Sequence, residues 1–166
     1  MTPSRPLTFL AGAALIPLTA LAVAGCGGGG NATASHAPAR AASVSVANTG
    51  LGKVLVDSKG RTLYLFRKDQ ATKSACFGEC ATDWPPLRVS GKPMVGNGAQ
   101  ASKVSTATRT DGAPQVTYNG HPLYLFEGDH NAGDTNGQGV TAFGAGWYAL
   151  TSAGDQVATR TSSSGY

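Results

Sequence analysis

A ten-residue phrase occurs twice in this chain: Gly60-Arg61-Thr62-Leu63-Tyr64-Leu65-Phe66-Arg67-Lys68-Asp69 and, sixty residues on, Gly120-His121-Pro122-Leu123-Tyr124-Leu125-Phe126-Glu127-Gly128-Asp129. Gly, Leu, Tyr, Leu, Phe and Asp are identical in the two copies, and the stretch is not low in complexity, so duplication accounts for it better than chance. Side chains on an extended strand alternate, so Leu63 and Leu65 share one face while Tyr64 and Phe66 share the other. Both faces are apolar, as they are for Leu123, Leu125, Tyr124 and Phe126, which predicts two central strands buried on both sides.

Each phrase closes a hairpin pattern. Lys53 to Asp57, a Ser58-Lys59-Gly60 turn and Arg61 to Phe66 form the first; Gln115 to Tyr118, an Asn119-Gly120 turn and His121 to Phe126 form the second. Asn-Gly is a strong hairpin signal because both residues tolerate positive φ. No amphipathic stretch of ten or more residues follows a helical period between Ser43 and Thr159. The expected fold is mainly β: one small domain, residues 44–160, of two similar hairpin-based repeats about a pseudo-twofold axis, with repeat one near 51–90 and repeat two near 107–151. Each half supplies one tryptophan, Trp84 or Trp147, expected to anchor the core over its own hairpin. Ser90 to Ser102 reads as a connector between the halves, and residues 161–166 as a tail.

The N-terminal residues place the chain outside the cytoplasm. Arg5 gives a short positive region, Leu7 to Val23 is apolar apart from Thr8 and Thr19, and small residues close the run, the pattern of a signal peptide over residues 1–25. Val23-Ala24-Gly25-Cys26 resembles the bacterial lipobox, so Cys26 is the expected first residue of the mature chain, carrying diacylglycerol on its sulfur. Stable anchoring takes more than one acyl chain, which bacterial lipoproteins usually carry. Residues 27–43 have almost no large apolar side chain and read as a flexible stalk spanning about 20 to 25 Å.

Removing residues 1–25 takes away Arg5 alone among the charges and leaves 12 basic and 9 acidic side chains. That balance is too mild and too scattered for nucleic-acid binding, and no nucleic-acid signature is present. With Cys26 acylated, Cys76 and Cys80 remain, and in an oxidising space they read as a disulfide across a loop that Gly78 lets turn. So short a loop is worth about 2 kcal/mol or somewhat less.

Tyr64-Leu65-Phe66-Arg67-Lys68-Asp69 and Tyr124-Leu125-Phe126-Glu127-Gly128-Asp129 are similar to the Tyr-x-aromatic-x-x-Asp motif of a bacterial lipoprotein family described as a secreted repeat of unknown function. The resemblance extends to Cys76 to Ala81 leading into Trp84-Pro85-Pro86, and to Gly133 to Gly139 leading into Trp147-Tyr148, and so covers roughly Leu51 to Leu150. It implies export, repetition and lipid attachment, with no settled activity and no catalytic residue to carry over. Motif positions are Tyr64, Phe66 and Asp69, with Tyr124, Phe126 and Asp129.

In the reading favoured here each motif tyrosine is a core residue whose hydroxyl finds a partner, and Asp69 or Asp129 caps a turn by accepting backbone N–H bonds. Acid and base work by the same pair lacks a nearby nucleophile, oxyanion site or cofactor phrase, and no nucleophile-elbow phrase points to a hydrolase. Asp129, His130, Asp134 and Asn136 are the candidate metal ligands; Asp134, Asn136 and Gln138 before Gly139 echo the opening of a calcium loop, but Ala145 stands where its bidentate glutamate belongs. For a transition metal, His121, His130 and Met94 are scattered rather than spaced. A thiol-redox role for Cys76 and Cys80 has three intervening residues, no evident helix start and the adjacent Glu79 against it. The expected function is therefore a membrane-anchored extracytoplasmic lipoprotein acting as a non-catalytic binding or structural module of the cell envelope, with no cofactor beyond the lipid on Cys26 and with a protein or small-molecule partner left open. An envelope metal-handling protein (calcium, copper or iron) and a thiol-disulfide oxidoreductase are the alternatives.

Overall fold

The computed structural model describes residues 42–159; the signal peptide, Cys26, nearly all of the stalk and the 161–166 tail lie outside the described residues. Alternation in Ser43 to Thr49 makes strand β1, which turns back into β2 (Gly52–Val56) as an antiparallel hairpin. Strand β3 (Tyr64–Phe66) is followed by a one-turn helix, α1 (Glu79–Asp83), and by β4 (Met94–Val95). A 3-10 turn at Ala101–Lys103 leads into β5 (Val104–Thr108), β6 (Pro114–Tyr118) and β7 (His121–Pro122). The last pair is β8 (Thr141–Ala142) and β9 (Ala145–Ala149). Three three-stranded sheets result, in the orders β2-β1-β4, β3-β9-β8 and β5-β6-β7.

The Asn-Gly turn forms where expected: Asn119 and Gly120 both have positive φ, at 49° and 83°, and β6 pairs with β7 across them. Its counterpart in the first half is only partly a hairpin. Val56 bridges Thr62 and Leu63 N–H reaches Leu55 O at 2.9 Å, but β3 then leaves β2 and pairs with β9 in the other half. Asp57 is the local cause, since its carboxylate takes the N–H of Lys59 and Arg61 and the Arg61 guanidinium, building a wider turn than two residues give.

The two halves interlock through matched backbone bonds. Tyr64 N–H donates to Tyr124 O and Tyr124 N–H to Tyr64 O, at 2.9 and 3.0 Å. Leu55 N–H donates to Leu150 O as Val116 N–H does to Leu87 O, at 2.8 and 2.9 Å. Leu150 N–H donates to Leu63 O and Leu87 N–H to Leu123 O, at 3.3 and 2.8 Å. Each relation recurs with the halves exchanged, which is the expected pseudo-twofold arrangement.

Burial follows the two-faced pattern. Leu63, Leu65, Leu123 and Leu125 pack with Val44, Leu55, Val116, Tyr118 and Leu150 in one cluster, while Tyr64, Phe66 and Tyr124 pack with both tryptophans and the cysteines in another. The tryptophans do not sit simply over their own hairpins. Trp147 stacks on Phe66 of the first half at 4.0 Å and Trp84 on Phe126 of the second at 4.2 Å, with the two indoles stacked at 4.0 Å between them. Each also meets its own motif tyrosine edge-on, Trp84 with Tyr64 and Trp147 with Tyr124. A flat ring offers two faces and an edge, and this column uses all three.

Two further expectations are corrected. The Ser90 to Ser102 connector contributes β4, parallel to β1, and Val46 N–H donates to Asn97 O, so the connector supplies a strand at the sheet edge. A helix does begin beside the cysteines, since α1 starts at Glu79 and contains Cys80.

Candidate functional site

The motif residues meet across the two halves. Tyr64 O–H donates to Asp129 Oδ2 at 2.6 Å, and Tyr124 O–H donates to Asp69 Oδ2 at 2.9 Å. Each tyrosine thus bonds the aspartate of the other copy and not the one five residues along its own strand. The second oxygen of each carboxylate holds a turn, Asp69 Oδ1 taking the Ala75 N–H at 2.7 Å and Asp129 Oδ1 the Asn136 N–H at 2.8 Å. The expected turn-capping role is therefore present at both aspartates, with the tyrosine bond added from the opposite half.

The surroundings of the two pairs differ. Asp129 is buried, and Tyr64 also accepts the Gly137 N–H at 3.3 Å. Gly137 fits because a Cβ there would lie 2.9 Å from both Trp84 and Tyr64. Asp69 is half-buried, and Ser74 Oγ lies 2.7 Å from the Tyr124 hydroxyl, placed to donate back to it. Burial raises the pKa of both tyrosines, and the facing carboxylate adds to the shift, so each remains a protonated donor. Burial also pushes the Asp69 carboxyl up to about 6, against the lowering influence of the Ala75 N–H and the Tyr124 hydroxyl.

Arg109, unmarked in the sequence, ties the Tyr124–Asp69 pair to the cysteine loop. It is buried, and its guanidinium donates to Ser74 Oγ, Gln115 Oε1, Cys76 O and Asp111 Oδ2 at 2.7 to 3.2 Å. Phe77 covers it, with the guanidinium carbon 4.6 Å from the ring centre. Gln115 passes the network on through its amide to Leu123 O. Nothing in Thr108-Arg109-Thr110-Asp111 sets this arginine apart from a solvated turn residue; its partners Ser74 and Cys76 lie more than thirty positions away in the chain.

Cys76 and Cys80 form the expected disulfide, with Cα atoms 5.2 Å apart, and both are buried against the aromatic column. In the Asp129 to Gly139 loop the oxygen donors are turned onto the chain itself. Asp134 Oδ2 accepts the backbone N–H of His130 and Asn131, which hold its carboxyl below the usual range, and Asn136 donates its amide to Gly128 O. Gln138 spans Ala149 N–H and Val157 O. Among the described residues no three His, Cys, Asp or Glu side chains converge as a metal site would require. His121 lies apart, on β7, with its pKa lowered by burial.

Fold and site together define a duplicated β domain whose copies exchange the partners of a shared tyrosine-aspartate motif. The chain belongs to the family described as a secreted repeat of unknown function, which matches residues 45–88 and 105–151, more than half of its length. No curated protein and no solved structure matches it. The two matched segments are the two interlocked halves, and the family's description places the chain outside the cytoplasm. No helix among the described residues is long and apolar enough to cross a membrane.

Proposed function

We propose that this protein is a lipid-anchored bacterial envelope protein whose duplicated domain is a non-catalytic binding or structural module. The observation that carries the reading is the inward commitment of the motifs: both tyrosine hydroxyls and both aspartates, the residues best able to act as acid and base, bond one another and backbone N–H groups within the core. A catalytic pair needs an atom free to reach substrate, and these groups serve instead to lock two halves together. Anchoring is supported by Val23-Ala24-Gly25-Cys26 at the end of an apolar run, and export by the secreted character of the family.

The test is Cys26→Ala in a cell-fractionation experiment with radiolabelled palmitate. The parent chain is expected in the membrane fraction and labelled; the variant is expected unlabelled and released. A variant that stays membrane-bound without label would overturn the anchoring.

A further inference from the structure

The first motif turn lines a cavity of about 530 Å³, a size within the range of small-ligand sites, bounded by Lys68, Lys73, Ser74, Thr108, Arg109 and Thr110. Its lysines come from one copy only, while Arg109 comes from the other. The first turn reads Arg67-Lys68-Asp69-Gln70 where the second reads Glu127-Gly128-Asp129-His130, so the aspartate is shared while Arg67 and Lys68 are not.

The fold engages these lysines only in part. Lys68 Nζ donates to one group, Phe143 O at 3.1 Å, leaving two of its three N–H directions open, and Lys73 makes no side-chain hydrogen bond or ion pair with a described residue. The cavity lining carries Lys68, Lys73 and Arg109 and, among the described residues, no carboxylate; of the nearest acids, Asp69 takes the Ala75 N–H and Asp111 is already shared by Arg109 and Arg88. The rim is also stiff. Gln70 and Lys73 exchange both backbone bonds across a two-residue turn, and Ala71 holds φ at +49°, a conformation that alanine seldom adopts.

We propose that this cavity is a binding site for a phosphate-bearing anion. A planar carboxylate is matched best by an open guanidinium fork, and that of Arg109 is committed to the Ser74, Gln115, Cys76 and Asp111 network. Two lysines acting as point charges beside threonine hydroxyls suit a tetrahedral, doubly charged group. The site deepens the binding-module reading and rests on it, but needs nothing of the lipid on Cys26.

Two arms test it and separate the sources of phosphate. In solution, the detergent-purified full chain is titrated with glycerol 3-phosphate and inorganic phosphate by calorimetry. On membranes, the Cys26→Ala full chain is co-sedimented with vesicles of phosphatidylglycerol or of phosphatidylcholine. Lys68→Gln and Lys73→Gln, both at exposed positions, are expected to weaken binding about 10-fold or more, as loss of a charge-assisted bond does. Lys92→Gln, also exposed but outside the cavity, should change it by less than about twofold. Lysine-dependent binding in solution supports a soluble phosphate ester, and lysine-dependent binding to phosphatidylglycerol vesicles alone supports a lipid headgroup. Binding in neither arm, or binding that Lys92→Gln weakens as much as the other two variants do, would overturn the site. Failure of anchoring would show instead as loss of palmitate label, which neither arm reads.

Discussion

Replacing Tyr64 by Phe removes one oxygen from the crossed pair and leaves the ring in place between Trp84 and Phe126, so the change isolates a hydrogen bond from packing. The lost bond is short, at 2.6 Å, and is made to a carboxylate that is buried. Asp129 Oδ2 would then face the aromatic column with no donor, while Oδ1 keeps the Asn136 N–H. A hydrogen bond to a charged group is worth about 1.5 to 3 kcal/mol, and burial of the orphaned oxygen puts the expected loss near the top of that range. For a domain of this size the melting point should fall by about 6 to 12 °C. Tyr124→Phe should cost less, because Asp69 is half-buried and its bond is 2.9 Å. Crossing itself is tested by double-mutant cycles in urea unfolding. Tyr64→Phe with Asp129→Asn should show a coupling of about 1.5 kcal/mol or more, whereas Tyr64→Phe with Asp69→Asn should be additive within about 0.5 kcal/mol. A stronger coupling within one motif than between the two would refute the exchanged arrangement.

Gly137→Ala should destabilise the domain by about 1 to 3 kcal/mol, since the new methyl group would press on Trp84 and Tyr64 from 2.9 Å; an unchanged urea midpoint would show that the loop yields freely. Asp69 gives a pH dependence of definite sign. Its folded pKa of about 6 lies above the ordinary 3.8, so the folded chain holds a proton that the unfolded chain releases across that window. Stability from this group is full below pH 3.8 and is lost as the pH rises through 6. Comparing Asp69→Asn with the parent chain from pH 4 to 7 should therefore show a flatter profile in the variant, and identical slopes would contradict the burial argument.

What could be read in advance was local. Alternation in Leu63 to Phe66 and Leu123 to Phe126 assigned the side chains to two faces, and both faces proved buried. Asn119-Gly120 marked its own turn, and the cysteine spacing marked its own disulfide. What stayed hidden was partnership at long range. A tyrosine and an aspartate five residues apart look like neighbours, yet periodicity assigns a side chain to a face without naming what lies opposite. The same limit hid the exchange of tryptophans, and it hid Arg109, whose partners Ser74 and Cys76 come from the other half. Strands of two or three residues, such as β3, β4 and β7, are also too short to carry a period that would name their neighbours.

Exchange of partners explains why the two copies agree where they do. If each tyrosine bonded the aspartate of its own copy, either half could change its pair without consulting the other. Here a change at Asp129 strands Tyr64, and a change at Asp69 strands Tyr124, so each half constrains the other at four motif atoms and at the stacked rings between them. The turn residues between Phe and Asp carry no such obligation: Arg67 and Lys68 are exposed in one half, and Glu127 is exposed in the other. At the motif turns the halves diverge at exposed positions, and the lysines that distinguish the first, Lys68 and Lys73, gather beside a cavity lined by Arg109 and its partner Ser74. The fold is thus made by what the copies have in common, and a ligand would be chosen by what they do not.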